Sequence, residues 1–103
     1  ITQPMMALGA KGVISVAANG YPSVFAKMVS SMMNKDTKTA LDLHYKMLRI
    51  NNLIFADGNP SGIKCLLAKQ NICKNILRLP LVPVNDNVKI MLENELDVVY
   101  KNC

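Results

Sequence analysis

The stretch Val13-Ile14-Ser15-Val16, flanked by Gly12 and by Ala17-Ala18-Asn19-Gly20, limits what this chain can fold into more than any other feature. Three of its four residues are β-branched, which favours a strand. Gly12–Val16 carries apolar residues on both alternating faces, as the strands of buried parallel sheets do. A strand places its N–H and C=O groups on a neighbour, and an isolated one is not stable in water. The remainder of the chain reads as helix or proline-punctuated loop. The segment is therefore expected to belong to a sheet whose other members lie before Ile1 or in another chain.

Helical periodicity accounts for most of what surrounds it. Pro4-Met5-Met6-Ala7-Leu8-Gly9 reads as the end of a helix stopped by glycine. Ala17-Ala18-Asn19-Gly20-Tyr21 is a turn. Pro22 opens a second helix, with Val24 or Phe25, Met28, Val29 and Met32 on one side. Helix, strand and helix with short links is the rhythm of a parallel sheet with crossover helices. A longer helix follows Asp36 and Thr37, which supply N-cap chemistry. It carries Ala40, Leu43, Met47, Ile50 and Ile54, with a second apolar row at Leu41 and Leu48. Ala56-Asp57-Gly58-Asn59-Pro60 ends it, and a short fourth helix turns Ile63, Leu66, Leu67 and Gln70 inward. Leu77-Arg78-Leu79-Pro80-Leu81-Val82-Pro83-Val84 is apolar enough for a strand, but Pro80 and Pro83 would each delete a ladder donor. It reads instead as an extended, buried tether. Asn85 or Asp86 then caps a last helix with Val88, Met91, Leu92, Leu96 and Val99 on its core side.

Composition narrows the function classes. With 103 residues, 50% hydrophobic and 18% charged, the chain suits one globular domain. Its opening, Ile1-Thr2-Gln3-Pro4-Met5-Met6, has no initiator methionine and no signal-peptide layout. It reads as a cut inside a longer protein, with a processed mature terminus as the alternative. No apolar run approaches the roughly 18–20 residues of a membrane span, so no membrane partner is expected. The charge of +5 is dispersed and not interleaved with aromatics. It reads as solvated helix faces, with no nucleic-acid partner expected. Cys65, Cys73 and Cys103 are odd in number and lack C-x-x-C spacing, so free thiols in a reducing cytoplasm are expected. Cys65 and Cys73, eight apart, are placed on one buried helical face. His44, alone in its long helix, has no second ligand or carboxylate at i+4, and no metal site is expected. Tyr21 reads as a packing residue at a helix entry.

Three segments together resemble the dihydrodipicolinate synthase (4-hydroxy-tetrahydrodipicolinate synthase) family. Leu8-Gly9-Ala10-Lys11-Gly12-Val13-Ile14-Ser15-Val16-Ala17-Ala18-Asn19 is similar to its eighth strand and following turn. Phe55-Ala56-Asp57-Gly58-Asn59-Pro60-Ser61-Gly62-Ile63-Lys64 is similar to its acidic, Asn-Pro and Lys signature. Leu77-Arg78-Leu79-Pro80-Leu81-Val82-Pro83 is similar to its late Arg-x-Pro-Leu-x-Pro segment. The order and spacing match across nearly the whole chain.

The resemblance implies an α/β fold: the last β/α unit of a TIM (β/α)8 barrel plus a C-terminal helical domain. The chain itself would be predominantly helical with one short strand. Residues 1–34 would be the end of the barrel (end of helix seven, strand eight, helix eight) and residues 35–103 the helical domain. The missing partners of Gly12–Val16 would then be strands seven and one. The implied activity joins pyruvate to aspartate semialdehyde through a Schiff base on a lysine of strand six, in lysine and diaminopimelate biosynthesis. The implied enzyme is a cytoplasmic homotetramer that needs no cofactor. The Schiff-base lysine and the relaying tyrosine would precede Ile1, so these residues alone are expected to be inactive, and neither Lys11 nor Lys64 is in the right context. One functional position transfers: Ile14 matches the residue that contacts pyruvate from strand eight, the only substrate-binding residue expected here. Departures lie in the helical domain. Asp57 stands where many members carry Glu, and Ser61-Gly62 replaces an apolar residue and a proline, which loosens a helix start. Leu79 stands where some members have proline. Sister class I aldolases (N-acetylneuraminate lyase, keto-deoxy-sugar aldolases) and a non-catalytic helical interaction module are the alternatives.

Overall fold

The computed structural model describes residues 1–101. Among the described residues, five α-helices and one short 3-10 turn follow one another: α1 (Thr2–Ala7), the turn Ala17–Asn19, α2 (Pro22–Met33), α3 (Thr37–Phe55), α4 (Ser61–Lys69) and α5 (Asp86–Lys101). The chain divides into two compact units, Ile1–Leu48 and Arg49–Cys103, with the cut inside α3.

In the first unit α1 packs on α2. Tyr21, Phe25 and Met28 are buried from α2 and its entry, and Ala40, Leu43 and Met47 from the first part of α3, at the three- and four-residue steps the sequence dictates. Buried Gln3 places Nε2 3.7 Å from the Met32 sulfur. The Asp36 side chain accepts from the Thr39 N–H at 3.1 Å, which caps α3. Hydrogen bonding from the Thr39 side chain first, and from its backbone N–H second, holds the Asp36 carboxyl below its ordinary pKa. Leu41 is half-buried and Leu48 exposed, so the second apolar row of α3 is only partly covered.

In the second unit α4 packs on α5. Ile50, Ile54, Leu66, Leu92 and Val99 are almost fully buried, with Ile63, Val84, Val88 and Leu96 around them. Gly62 allows α4 to approach α3: a Cβ there would overlap the carbonyl group of Ile54, with the carbonyl carbon at 2.7 Å. Its N–H also donates to the Gly58 carbonyl at 3.1 Å, a bond proline could not make. The loosened helix start expected from sequence is thus a close-approach position. Glu95, buried on α5, pairs with Arg49 Nε at 3.1 Å.

The link between α4 and α5 is fastened near its C-terminal end. The Ser61 hydroxyl donates to the Val82 carbonyl at 2.7 Å. Asp57 Oδ2 accepts from the Asn85 backbone N–H at 2.7 Å and from Asn85 Nδ2 at 2.9 Å. Asn85 Oδ1 in turn accepts from the Val88 N–H at 3.0 Å, making it the cap of α5.

Four expectations are corrected. No strand forms among the described residues; Gly12–Val16 is irregular, and Val16 already has helical angles (φ −61°, ψ −48°). The reason is the one that demands outside partners: without a neighbour to share its hydrogen bonds, the segment makes no ladder. The Leu77–Val84 tether is not buried; Leu79, Leu81 and Val82 are exposed and only Val84 inserts. Met91 is exposed, and Glu95 takes a place among the buried residues of α5. Cys65 is buried on α4, but Cys73 lies beyond the end of that helix and is half-buried, so the two share no helical face. Cys103 lies outside the described residues.

Candidate functional site

The segment around Ile14 is positioned by the turns at its two ends. Behind it, Gly9 closes α1 in the left-handed region (φ 109°), where a side chain would be strained. The Gly9 N–H donates to the Met6 carbonyl and the Ala10 N–H to the Met5 carbonyl, both at 3.0 Å, a double bond pattern that satisfies the helix end. Ahead of it, the Ala18 N–H donates to Ser15 Oγ at 3.3 Å. The Val16 carbonyl accepts from the Asn19 N–H at 3.1 Å and from Asn19 Nδ2 at 3.0 Å. Short polar side chains thus turn the backbone at once into α2.

Neighbouring residues of the segment have different surroundings. Val13 lines a shallow groove of about 340 Å³ together with Gly12, Pro22, Phe25, Ala26 and Val29 of the α2 region. Ile14 does not line it and is completely exposed, at 106% of its reference area. The segment thus presents Gly12 and Val13 to the α2 region and leaves Ile14 open. An isoleucine so placed offers an apolar wall and main-chain donors and acceptors, and it cannot transfer a proton. Lys11, the nearest charge along the sequence, is exposed.

No other residue singled out in the sequence joins this segment. Tyr21 is fully buried at the start of α2, as a packing residue is. His44 is buried in α3 with its ring tilted against exposed Tyr45, centroids 5.8 Å apart. Burial pushes the His44 pKa below its ordinary value, which favours the neutral ring. Burial likewise pushes the Cys65 thiol up, with the Glu93 carboxylate adding to it, so Cys65 is a poor nucleophile. Sequence reasoning missed the groove residues Phe25, Ala26 and Val29 as neighbours of Val13. Their three- and four-residue spacing marked a helix face without saying which segment it faces.

Comparison with known proteins covers nearly the whole chain. The dihydrodipicolinate synthetase family matches residues 1–98. The 4-hydroxy-tetrahydrodipicolinate synthase of Flavobacterium psychrophilum is 42% identical over 101 residues, 98% of this chain and 33% of that protein. The enzyme of the same name from Phocaeicola vulgatus is 45% identical over 83 residues, 81% of this chain and 28% of that protein. Among solved structures, a dihydrodipicolinate synthase from Acinetobacter baumannii, chloride-inhibited and complexed with pyruvate, superposes with TM-score 0.84. It is 32% identical and covers 95% of this chain and 34% of its own. A monomeric dihydrodipicolinate synthase variant superposes with TM-score 0.92 at 28% identity, over 94% of this chain and 32% of its own. This chain spans about a third of the length of these relatives. The three sequence segments, the helical order and these matches agree: the chain belongs to the dihydrodipicolinate synthetase family.

Proposed function

We propose that these residues are the C-terminal third of a lyase that joins pyruvate to aspartate semialdehyde in lysine and diaminopimelate biosynthesis. In this reading residues 1–34 complete a TIM barrel as the end of helix seven, strand eight and helix eight, and residues 35–103 form the helical domain. The parent enzyme is a cytoplasmic homotetramer. Its Schiff-base lysine lies on another strand. That amine adds to the keto carbon of pyruvate and water leaves, giving an iminium; loss of a methyl proton then gives the enamine that attacks the aldehyde carbon. Ile14 stands beside the keto acid and holds it with backbone groups and an apolar wall, while the fragment alone is inactive.

The observation that carries this reading is the exposure of Ile14 on a side that does not line the α2 groove, in a segment that resembles strand eight of the family. In a closed barrel that side faces the interior, and functional groups gather at the C-terminal ends of the strands. The pyruvate complex of the Acinetobacter baumannii enzyme, a relative in structure and sequence, supports the substrate.

The test is borohydride trapping. Pyruvate and borohydride should add one covalent pyruvate-derived mass to the full-length protein, on a peptide outside residues 1–103. In the same protein Ile14→Gly should raise KM for pyruvate more than it lowers kcat. An adduct on Lys11 or Lys64, or no adduct at all, would overturn the proposal.

A further inference from the structure

We propose that the second unit carries a binding groove for a small organic phosphate. The groove has a volume of about 590 Å³ and is lined by Lys64 of α4 and by Lys74 and Arg78 of the α4–α5 link, over Ile76, Leu77 and Leu81. Its size falls within the roughly 300–1,000 Å³ typical of small-molecule sites. The lining combines an apolar surface with three cationic residues and no anionic one.

The charge pattern is what makes it a site. No Asp or Glu occurs between Gly58 and Asn85, while Lys64, Lys69, Lys74 and Arg78 all fall there. Two cations of the same unit outside the groove are paired, Arg49 with Glu95 at 3.1 Å and Lys69 with Glu93 at 3.7 Å, whereas Lys89 of α5 forms no ion pair among the described residues. Among the described residues, none of the three groove cations forms an ion pair, and no carboxylate lines the groove. Three like charges on one concavity repel one another, and a bound anion offsets that repulsion. A groove lined by one sign of charge also concentrates counter-ions.

The side-chain types choose the class of anion. Arginine presents a planar fork that takes two oxygens at once, and the lysines add compact point charges around it. That set suits a phosphate dianion better than a single carboxylate. The apolar residues Ile76, Leu77 and Leu81 suit the body that carries the phosphate, a nucleoside or an alkyl chain.

The experiment is calorimetric titration of the full-length protein with adenosine monophosphate at about 50 mM salt, a condition in which exposed charges are weakly screened. Saturable binding is expected, weakened at least tenfold in the double variant Lys74→Gln, Arg78→Gln and unchanged in the control pair Lys11→Gln, Lys27→Gln. Both pairs remove two exposed charges, so circular dichroism should show both folded. Adenosine should bind far more weakly than its monophosphate, and succinate should not compete. No saturable binding would overturn the proposal, as would equal loss in the control pair, equal binding of adenosine, or displacement by succinate.

Discussion

The helical core of the second unit and the Gly12–Val16 segment of the first treat apolar residues in opposite ways. In Arg49–Cys103 the most hydrophobic helix positions, Ile50, Ile54, Leu66 and Leu92, lie at or below 1% exposure. In Ile1–Leu48 the strongest β-forming run is left in the open, with Val13 at 45% and Ile14 at 106%. Helices satisfy their backbone internally and need only a partner face, which the neighbouring helices supply. A strand needs partner strands, and the described residues hold none. Burial is therefore a property of the element's hydrogen-bonding demands as much as of its hydrophobicity.

Large penalties should follow from disturbing the closed unit. Gly62→Ala drives a methyl group into the Ile54 carbonyl, a backbone group that cannot rotate away. It should cost about 3 kcal/mol by the measure of overpacked sites, read as a lower urea midpoint. A loss under 1 kcal/mol would mean α4 and α3 are not so closely apposed. Leu92→Ala opens a cavity in the same core and should cost about 2–5 kcal/mol. Ile14→Ala in the same 103 residues should change the midpoint by less than about 0.5 kcal/mol, because nothing covers that side chain. An equal effect of these last two substitutions would erase that contrast.

Smaller effects sharpen it. Asp57→Ala removes both acceptor contacts to Asn85 and should cost about 1–2 kcal/mol, whereas Asp57→Asn keeps one acceptor and should cost less. The smallest effect is a pH slope in the first unit. His44 has a folded pKa below its unfolded value because it is buried, so the unfolded chain binds the proton first as pH falls. Stability should be level above the ordinary histidine pKa near 6.5 and decline below it. His44→Gln should lose that part of the decline, seen as a smaller difference between denaturation midpoints at pH 7 and pH 5. An unchanged difference would remove His44 from the account.

The helices were legible because their signals are local. Spacing of three and four, Asp36 before Thr37 and Asn85 before Asp86 each fix a boundary without reference to distant residues. What failed depended on distance. Hydrophobic composition at Leu77–Val84 does not say whether a core lies beneath it, and Leu79 is 86% exposed. Cys65 and Cys73 could share a face only if α4 continued, but Asn71 adopts a left-handed angle (φ 59°) just past its end. For Gly62, the sequence suggested only a less constrained helix start, because the approach of Ile54 belongs to packing. At Ile14 the apolar, β-branched segment was legible, and its open surroundings came only with the fold.

The bonds from Ser61 to Val82 and from Asp57 to Asn85 have a consequence for how this region can vary. They tie the chain just past Leu81 back to Asp57 and to the first residue of α4, so α5 begins at a place set by the entry to α4. Lengthening the stretch between Asn71 and Leu81 leaves both bonds in place and costs only added loop entropy, about 0.6 kcal/mol per doubling. The α4–α5 link is a segment whose length is free to drift while the helices it joins stay in register.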